Sequence, residues 1–208
     1  MTSRSPTTLG YALLGLLARE SRSGYDLARA LKRPIGFFWH AGHSQIYPEL
    51  ARLEEAGLTT HEKVTQDDRP DKKLYAVTEA GRAILSVWVT APLEPPSIRD
   101  ELMLKAYSLW LGDPTAARAL FLEHAREHQA RMERFEVLRV RIEEAGGADV
   151  RRPNSPHFGR YLTVNRGITY EREYAAWCVW VADLLMPTPD SVAADHHAPT
   201  PDGPDLAP

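Results

Sequence analysis

The first 90 residues contain three short helical patterns and then a hairpin pattern, and this order restricts the fold more than any other feature. A leucine repeat at helical spacing predicts the first helix and is formed by Leu9, Leu13, Leu16 and Leu17. The second helix is short, because it starts at a Ser23 and Asp26 pair that resembles a capping box and stops before Pro34. The chain therefore begins as a small helical cluster.

A third helix is predicted from about Ser44 to Ala56, and Gly57 suits its C-terminal end. Its apolar face is formed by Ile46, Leu50 and Leu53. Pro48 falls in the first turn, where the missing N–H costs little. The other face carries Ser44, Gln45, Tyr47, Glu49 and Arg52. Hydroxyl, amide and guanidinium groups near a helix start suit the base edges and phosphates of a DNA major groove.

A β-hairpin is predicted next, because residues 59–66 and 73–78 have β-type composition and flank a polar turn with a proline. Its basic residues include three of the five lysines of the chain, namely Lys63, Lys72 and Lys73, together with Arg69. Thr78 is suited to cap a fourth helix. Three helices, a basic hairpin and a further helix are the order of a winged helix-turn-helix, in which the third helix enters the major groove and the wing contacts phosphates.

Residues 98–186 predict a second, helical domain, so the fold class is mainly α with a small β-hairpin wing. Its helices are expected from about Ile98 to Gly112, from Pro114 to about Ala145 and from about Ser155 to Leu185. The last two form a hairpin that buries one side only, so we expect a homodimer whose symmetry matches a palindromic operator in double-stranded DNA. Residues 91–97 are a Pro-rich hinge, and residues 187–208 are predicted to be a disordered tail.

Each long helix has a predicted apolar stripe. In the first of them the stripe is Ala117, Phe121, His124, His128, Met132, Phe135, Leu138 and Ile142. In the last helix it is Phe158, Leu162, Ile168, Ala175, Cys178, Val179, Ala182 and Leu185. Cys178 is the single cysteine of the chain, which excludes an internal disulfide and a cysteine-based zinc site, and we expect a buried, inert thiol.

The formal net charge of −3 at first argues against a nucleic-acid-binding protein. Residues 1–90, however, hold 12 basic and 10 acidic side chains, whereas residues 187–208 hold four acids and no Lys or Arg. The charge therefore excludes only a strongly basic protein that coats DNA without preference. No apolar run approaches a membrane span, and the N-terminus lacks the pattern of a signal peptide, so a cytoplasmic protein is expected.

Five segments carry a resemblance to a known family: Leu13–Leu17, Ser23–Leu27, Gln45–Leu50, Arg52–Leu58 and Lys73–Gly81. Together they resemble the PadR transcriptional regulators over about residues 8–85, and the helical remainder more loosely resembles the C-terminal domain of the virulence-activator-like branch. The resemblance implies a dimeric, ligand-responsive regulator, usually a repressor. The predicted DNA contacts are Tyr25, Ser44, Gln45, Tyr47, Pro48, Arg52, Lys63, Arg69, Lys72 and Lys73.

A small aromatic effector is also expected, since the family is known for such ligands. Its predicted pocket is lined by Tyr107, Trp110, Trp177 and Trp180, although packing in the core or the dimer interface is the simpler explanation of these residues. Effector binding would shift the dimer between two arrangements. No cofactor is expected.

Two alternatives stay open at this point. The first is a ligand-binding or protein-interaction module without strong DNA affinity, because Asp67, Asp68 and Asp71 dilute the positive charge of the wing tip. The second is a metal-dependent enzyme, because the string from His124 to His128 matches the H-x-x-E-H pattern of inverted zinc peptidases. Both histidines lie on the apolar stripe, which favours packing over metal binding, so neither a metal nor an enzymatic activity is predicted.

Overall fold

The computed structural model describes residues 5–31, 43–66, 69–93 and 99–186. It separates into two compact units, which are Met1–Ser97 with Leu138–Gly167 and Ile98–Val137 with Ile168–Pro208. No helix within the described ranges is long and apolar enough to cross a membrane. Part of the predicted hinge (residues 94–97) and the whole predicted tail (residues 187–208) lie outside the described residues.

The first unit begins with the three predicted helices: α1 (Thr8–Leu17), α2 (Gly24–Leu31) and α3 (His43–Glu55). The predicted pair at the start of α2 is present, since the backbone N–H of Asp26 donates to Ser23 Oγ at 3.1 Å and Ser23 Oγ donates to Asp26 Oδ2 at 2.6 Å. Gly57 follows α3 with a φ of 71°, a left-handed conformation that glycine adopts without strain and that ends the helix.

The sheet has three antiparallel strands, β1 (Arg22–Ser23), β2 (Thr59–Gln66) and β3 (Arg69–Val77), in the order β1-β3-β2. The predicted hairpin is confirmed, but β3 starts four residues earlier than expected, at Arg69 instead of Lys73. Pro70 is predicted to lie in the turn, whereas in the structure it is the second residue of β3. At this end β3 pairs with β2 only, and such a one-sided position tolerates a proline.

Leucines dominate the core of this unit, in which Leu13, Leu14, Leu27 and Leu50 are completely buried. The predicted buried face of α3 is confirmed, since its three apolar residues are at most 2% exposed. The fourth helix, α4 (Glu79–Trp88), is capped by Thr78. Thr78 also donates its hydroxyl to the carbonyl of Gly57 at 2.7 Å, which ties the end of the wing to the end of α3.

The remaining helices are α5 (Glu101–Tyr107), α6 (Pro114–Gly146) and α7 (Pro156–Leu184), with short 3-10 turns at Leu109–Leu111 and Gly147–Arg151. The ends of α6 and α7 agree with the prediction within one residue. α5 is shorter than predicted, because the Asp100 side chain accepts from the N–H groups of Leu102 and Met103 and so fixes the helix start.

The buried stripe of α7 differs from the prediction. Leu162 and Val179, both predicted to be buried, are exposed. Gly167 and Val181 are also buried, but the main row of buried positions is Val164, Ile168, Glu171, Ala175, Cys178 and Ala182. They recur every three or four residues, which is the spacing of two helices packed side by side, and this spacing brings an acidic residue into the stripe.

Candidate functional site

The outer face of α3 is exposed to solvent. Its predicted DNA-contacting residues are all exposed, namely Ser44, Gln45, Tyr47, Pro48 and Arg52. Tyr25, near the start of α2, is also exposed. The ring of Tyr47 lies close against Gly24, the first residue of α2. A Cβ placed on Gly24 would be only 2.6 Å from Tyr47 Cε1, so a larger residue would not fit there. Tyr47 and Tyr25 therefore emerge from adjoining stretches of the surface.

Glu49 was predicted on this outer face, and the structure corrects that assignment, because Glu49 is only 6% exposed. Its carboxylate accepts from Thr7 Oγ1 at 2.7 Å and from Arg52 at 2.9 Å. Glu49 thus joins α3 to the residue that caps α1. It also holds one nitrogen of the Arg52 guanidinium, a planar group whose remaining donors can contact a phosphate or a base.

The wing carries two cations at a fixed spacing. Lys63 and Lys73 are directly opposite each other in the β2–β3 pairing, and both are exposed. Like charges at opposite positions destabilise a sheet. A contribution to folding therefore does not explain why two lysines stand opposite each other here. Two ammonium groups on one face of a wing are suited to adjacent phosphates of a DNA strand.

Lys72 has a different environment. Its Nζ donates to Asp26 Oδ2 at 2.9 Å, and bonds from Ser23 and Lys72 hold the pKa of Asp26 below its ordinary value of 3.8. His61 Nδ1 on β2 contacts Glu54 on α3. The wing is therefore attached to both α2 and α3. The side chain of Arg69, together with Asp67 and Asp68, lies outside the described residues.

The second unit contains a buried polar cluster that the sequence did not predict. Glu171 is 1% exposed and accepts from His128 Nδ1 at 2.5 Å and from Arg131 Nε at 3.1 Å. The His128 ring stacks on Tyr174 with 4.1 Å between the ring centroids. The Tyr174 hydroxyl donates to Asp100 Oδ2 at 2.6 Å. The sequence contains one indication of this cluster, because Glu171 falls between Ile168 and Ala175 on the apolar stripe. A carboxylate buried at that position requires a hydrogen-bonding or charged partner.

Burial controls the protonation of this cluster. The pKa of His128 lies below its ordinary value of 6.5, because burial disfavours the charged ring more than Glu171 favours it, and Arg131 adds to the effect. A neutral His128 must carry its hydrogen on Nδ1 to donate to the carboxylate. The pKa of Tyr174 is raised by burial and by Asp100. Burial also raises the pKa of Cys178 to about 11, which agrees with the expected inert thiol.

We predict that the protein loses stability in mild acid because of His128. Below pH 6.5 the unfolded chain binds a proton that the folded chain resists, so the free energy of unfolding falls by up to about 1.4 kcal/mol per pH unit. Urea unfolding at about pH 7.5 and about pH 5.5, at one protein concentration, measures this decrease. The His128→Gln variant should show a smaller decrease, and an unchanged decrease would contradict the assignment to His128.

The four predicted effector residues differ in their exposure. Tyr107, Trp110 and Trp180 are 87%, 82% and 59% exposed on the second unit. Only Trp177 is half-buried, and its ring meets those of Phe121 and Tyr174 edge-on, each at 5.5 Å. Their role in effector binding stays a prediction.

The two histidines of the H-x-x-E-H string are engaged in packing. His128 is committed to Glu171 and Tyr174, and His124 is half-buried on the same helix. Among the residues that the structure describes, no group of three His, Cys, Asp or Glu side chains is arranged to hold a metal ion.

Comparisons with known proteins agree with this geometry. The model of the transcriptional regulator PadR-like family matches residues 13–87, and that of the virulence activator alpha C-terminal domain matches residues 98–186. The chain is 34% identical over 171 residues to the negative transcriptional regulator PadR of Bacillus subtilis (strain 168), covering 81% of this chain and 92% of that protein.

Solved structures of the same relative are also similar. The crystal structure of Bacillus subtilis PadR in complex with operator DNA matches with a TM-score of 0.76 and 31% identity, over 86% of this chain and 99% of that one. The structure of Bacillus subtilis PadR in complex with p-coumaric acid matches with a TM-score of 0.70 and 31% identity, over 87% of this chain and 100% of that one.

Proposed function

The chain belongs to the PadR-like family of transcriptional regulators, and from this premise we propose that it binds a palindromic DNA operator as a homodimer and represses transcription until a small aromatic acid releases it. Its relatives are regulators, and the chain is accordingly a regulator and not an enzyme. We place its action in the cytoplasm. Residues 1–90 would read DNA, residues 98–186 would hold the dimer, and residues 91–97 and 187–208 would serve as hinge and tail.

The observation that carries DNA binding is the division of α3 into two faces. One face is fully buried, while the polar row that includes Gln45 and Tyr47 is exposed. The buried face fixes the helix on the core, so the polar row is presented in a constant orientation. Lys63 and Lys73 add a phosphate contact beside it, which is how a winged helix divides reading from anchoring.

We propose the dimer contact at a set of exposed apolar side chains of the second unit, which we together call the aromatic face. It consists of Leu104, Tyr107, Trp110, Leu111, Trp180 and Leu184, all more than half exposed. A soluble chain rarely leaves so many large apolar side chains in water. A second copy of the chain would cover them, because an isologous contact buries the same face on both subunits.

The Bacillus subtilis relative has been solved in complex with p-coumaric acid. We propose an aromatic acid of this kind for the present chain, with Tyr107, Trp110, Trp177 and Trp180 as one possible lining. Trp177 would form the base of such a pocket, and the three exposed rings would complete it only when a second subunit covers the aromatic face.

Substitutions on α3 and on the wing should affect DNA binding differently. We expect Gln45→Ala to weaken operator binding by about tenfold and to relax sequence preference at one base pair. Lys73→Ala should weaken binding to all sequences alike and lower the salt dependence, since it removes one phosphate contact per subunit. Fluorescence anisotropy with operator and random duplexes over a salt series measures both effects.

Lys105→Ala is the control for this experiment, because Lys105 is paired with Glu101 in the second unit and should leave binding unchanged. Equal effects of Lys73→Ala and Lys105→Ala would contradict the wing contact. Binding to operator and random DNA with one affinity would contradict sequence-specific regulation.

A further inference from the structure

Glu49 is a buried carboxylate with both of its oxygens engaged. It is 6% exposed, and its Oε1 accepts a hydrogen bond from the Thr7 hydroxyl at 2.7 Å. Its Oε2 accepts from Nη1 of Arg52 at 2.9 Å. Because each oxygen is bound to a different partner, the plane of the carboxylate cannot turn without breaking one of the two bonds. Glu49 therefore has a fixed orientation between the start of α1 and the outer face of α3.

The first turn of α1 holds this carboxylate in place. The Thr7 hydroxyl that donates to Glu49 also accepts from the backbone N–H of Gly10 at 3.1 Å, which is the bond that caps α1. Gly10 is buried, and a Cβ on it would stand 2.5 Å from Glu49 Oε1. An alanine at position 10 would therefore displace the carboxylate. The cap and the glycine together leave room for one carboxylate in one orientation.

Arg52 is the exposed end of this chain of hydrogen bonds. Its side chain is 44% exposed, although its Nη1 is bound to Glu49. Gln45, Pro48 and Arg52 follow one another at helical spacing and are all exposed, so they lie in one row on the outer face of α3. The five N–H donors of an arginine lie in one plane, so a bond that holds Nη1 also sets the direction of the others.

The place of Arg52 on α3 suits a phosphate contact. It lies in the last turn of the helix, about 10 Å along the axis from Gln45. The residues near the start of a recognition helix contact base edges, while residues farther from the groove floor contact the DNA backbone. A planar guanidinium is well suited to the oxygens of a phosphate.

We propose that Glu49 is a positioning residue for DNA binding, which holds the guanidinium of Arg52 toward a backbone phosphate beside the bases that α3 reads. A free arginine side chain loses rotational freedom when it binds, whereas one already held by a carboxylate loses less. An anion beside a cation also weakens the attraction of that cation for phosphate, and the positioning effect is the larger of the two. The inference rests on the proposed DNA binding and adds a residue that acts on DNA without touching it.

Fluorescence anisotropy of the full-length chain tests this role with two duplexes, the palindrome that the wild type selects from random DNA and a random sequence of equal length. We expect Glu49→Gln to weaken binding to both duplexes at least about fivefold, although it removes a negative charge from the DNA-reading unit. Glu55→Gln is the matched control, because Glu55 is exposed on the same helix and its substitution removes the same charge. It should leave binding unchanged or slightly stronger.

The Arg52→Ala background separates positioning from support of the fold. There Glu49→Gln should have no further effect on operator affinity, because the side chain that it positions is absent. A purely structural role would instead give the same loss in both backgrounds. Gly10→Ala displaces the carboxylate and should reproduce the loss when Arg52 is present and not when it is replaced. Urea unfolding shows which variants are folded, and Gly10→Ala decides the test if Glu49→Gln is not.

Three results would overturn the inference. One is a folded Glu49→Gln variant that binds the operator as tightly as the wild type or more tightly, as removal of an anion alone predicts. Another is an equal loss from Glu49→Gln with and without Arg52. The third is unchanged operator affinity in Arg52→Ala. In each case a wild type that prefers the operator to random DNA leaves the proposed function standing, whereas a wild type without this preference contradicts that function itself.

Discussion

Replacing Glu171 by alanine is expected to lower the free energy of unfolding by about 3 kcal/mol. The carboxylate is buried and accepts hydrogen bonds from both His128 and Arg131. Its removal leaves a buried N–H without an acceptor, a guanidinium without its nearest counter-charge, and a cavity. Arg131 is one-quarter exposed and also faces Glu127 at 3.6 Å, so part of its charge can be solvated, which keeps the loss near the lower end of the range for buried pairs.

Urea unfolding of Glu171→Ala and Glu173→Ala at one protein concentration measures this effect. Glu173 lies two residues later on the same helix and is exposed, so its substitution should change the free energy of unfolding by less than about 0.5 kcal/mol. Glu171→Gln keeps the volume and one acceptor and should fall between the two. A loss below about 1 kcal/mol for Glu171→Ala would show that the cluster does not hold α6 and α7 together.

Charging the aromatic face is expected to separate the subunits and to remove most of the operator affinity. In the variant with Tyr107→Glu and Trp110→Glu, two carboxylates per subunit would have to be buried in the interface, which costs several kcal/mol unless they are paired. The monomer should have the 23.4 kDa mass of one chain. A monomer reads a single half-site, so operator affinity should fall by more than about a hundredfold.

Light scattering and anisotropy on the same samples measure these two changes. Val87→Glu is the control, because Val87 is also a largely exposed apolar residue, on α4 and outside the aromatic face. It should remain dimeric and bind the operator nearly as the wild type does. A charged double variant that stays dimeric would contradict the assignment of the aromatic face, and a wild type that is monomeric would contradict the dimer itself.

Local patterns predicted the elements that position the candidate interface. The apolar spacing from Ile46 to Leu53, the glycine at position 57 and the Ser23 and Asp26 pair are all short-range features, and each is found in the structure as expected. Such features depend on residues within a few positions of one another, so one sequence is enough to interpret them.

Contacts between distant segments were not predictable in the same way. Glu49 looked like a surface residue, because its partner Thr7 is 42 positions away. The Lys72–Asp26 bond spans 46 positions, and the Tyr174–Asp100 bond spans 74. The two-residue strand β1 was missed for the same reason, since only its pairing with β3 makes it a strand. For α7 the sequence predicted the helix correctly but assigned some of the wrong residues to its buried face. Glu171 was therefore not predicted to be buried.

Selection of bound sequences from a random pool of double-stranded DNA tests whether the protein reads a two-fold symmetric operator as a dimer. We expect enrichment of a palindrome whose half-sites lie about one or two helical turns apart, bound by two chains per duplex. Gln45→Ala should enrich a palindrome altered at the same position in each half-site. No enrichment, or enrichment of a single site without two-fold symmetry, would contradict a dimeric regulator that reads DNA through α3.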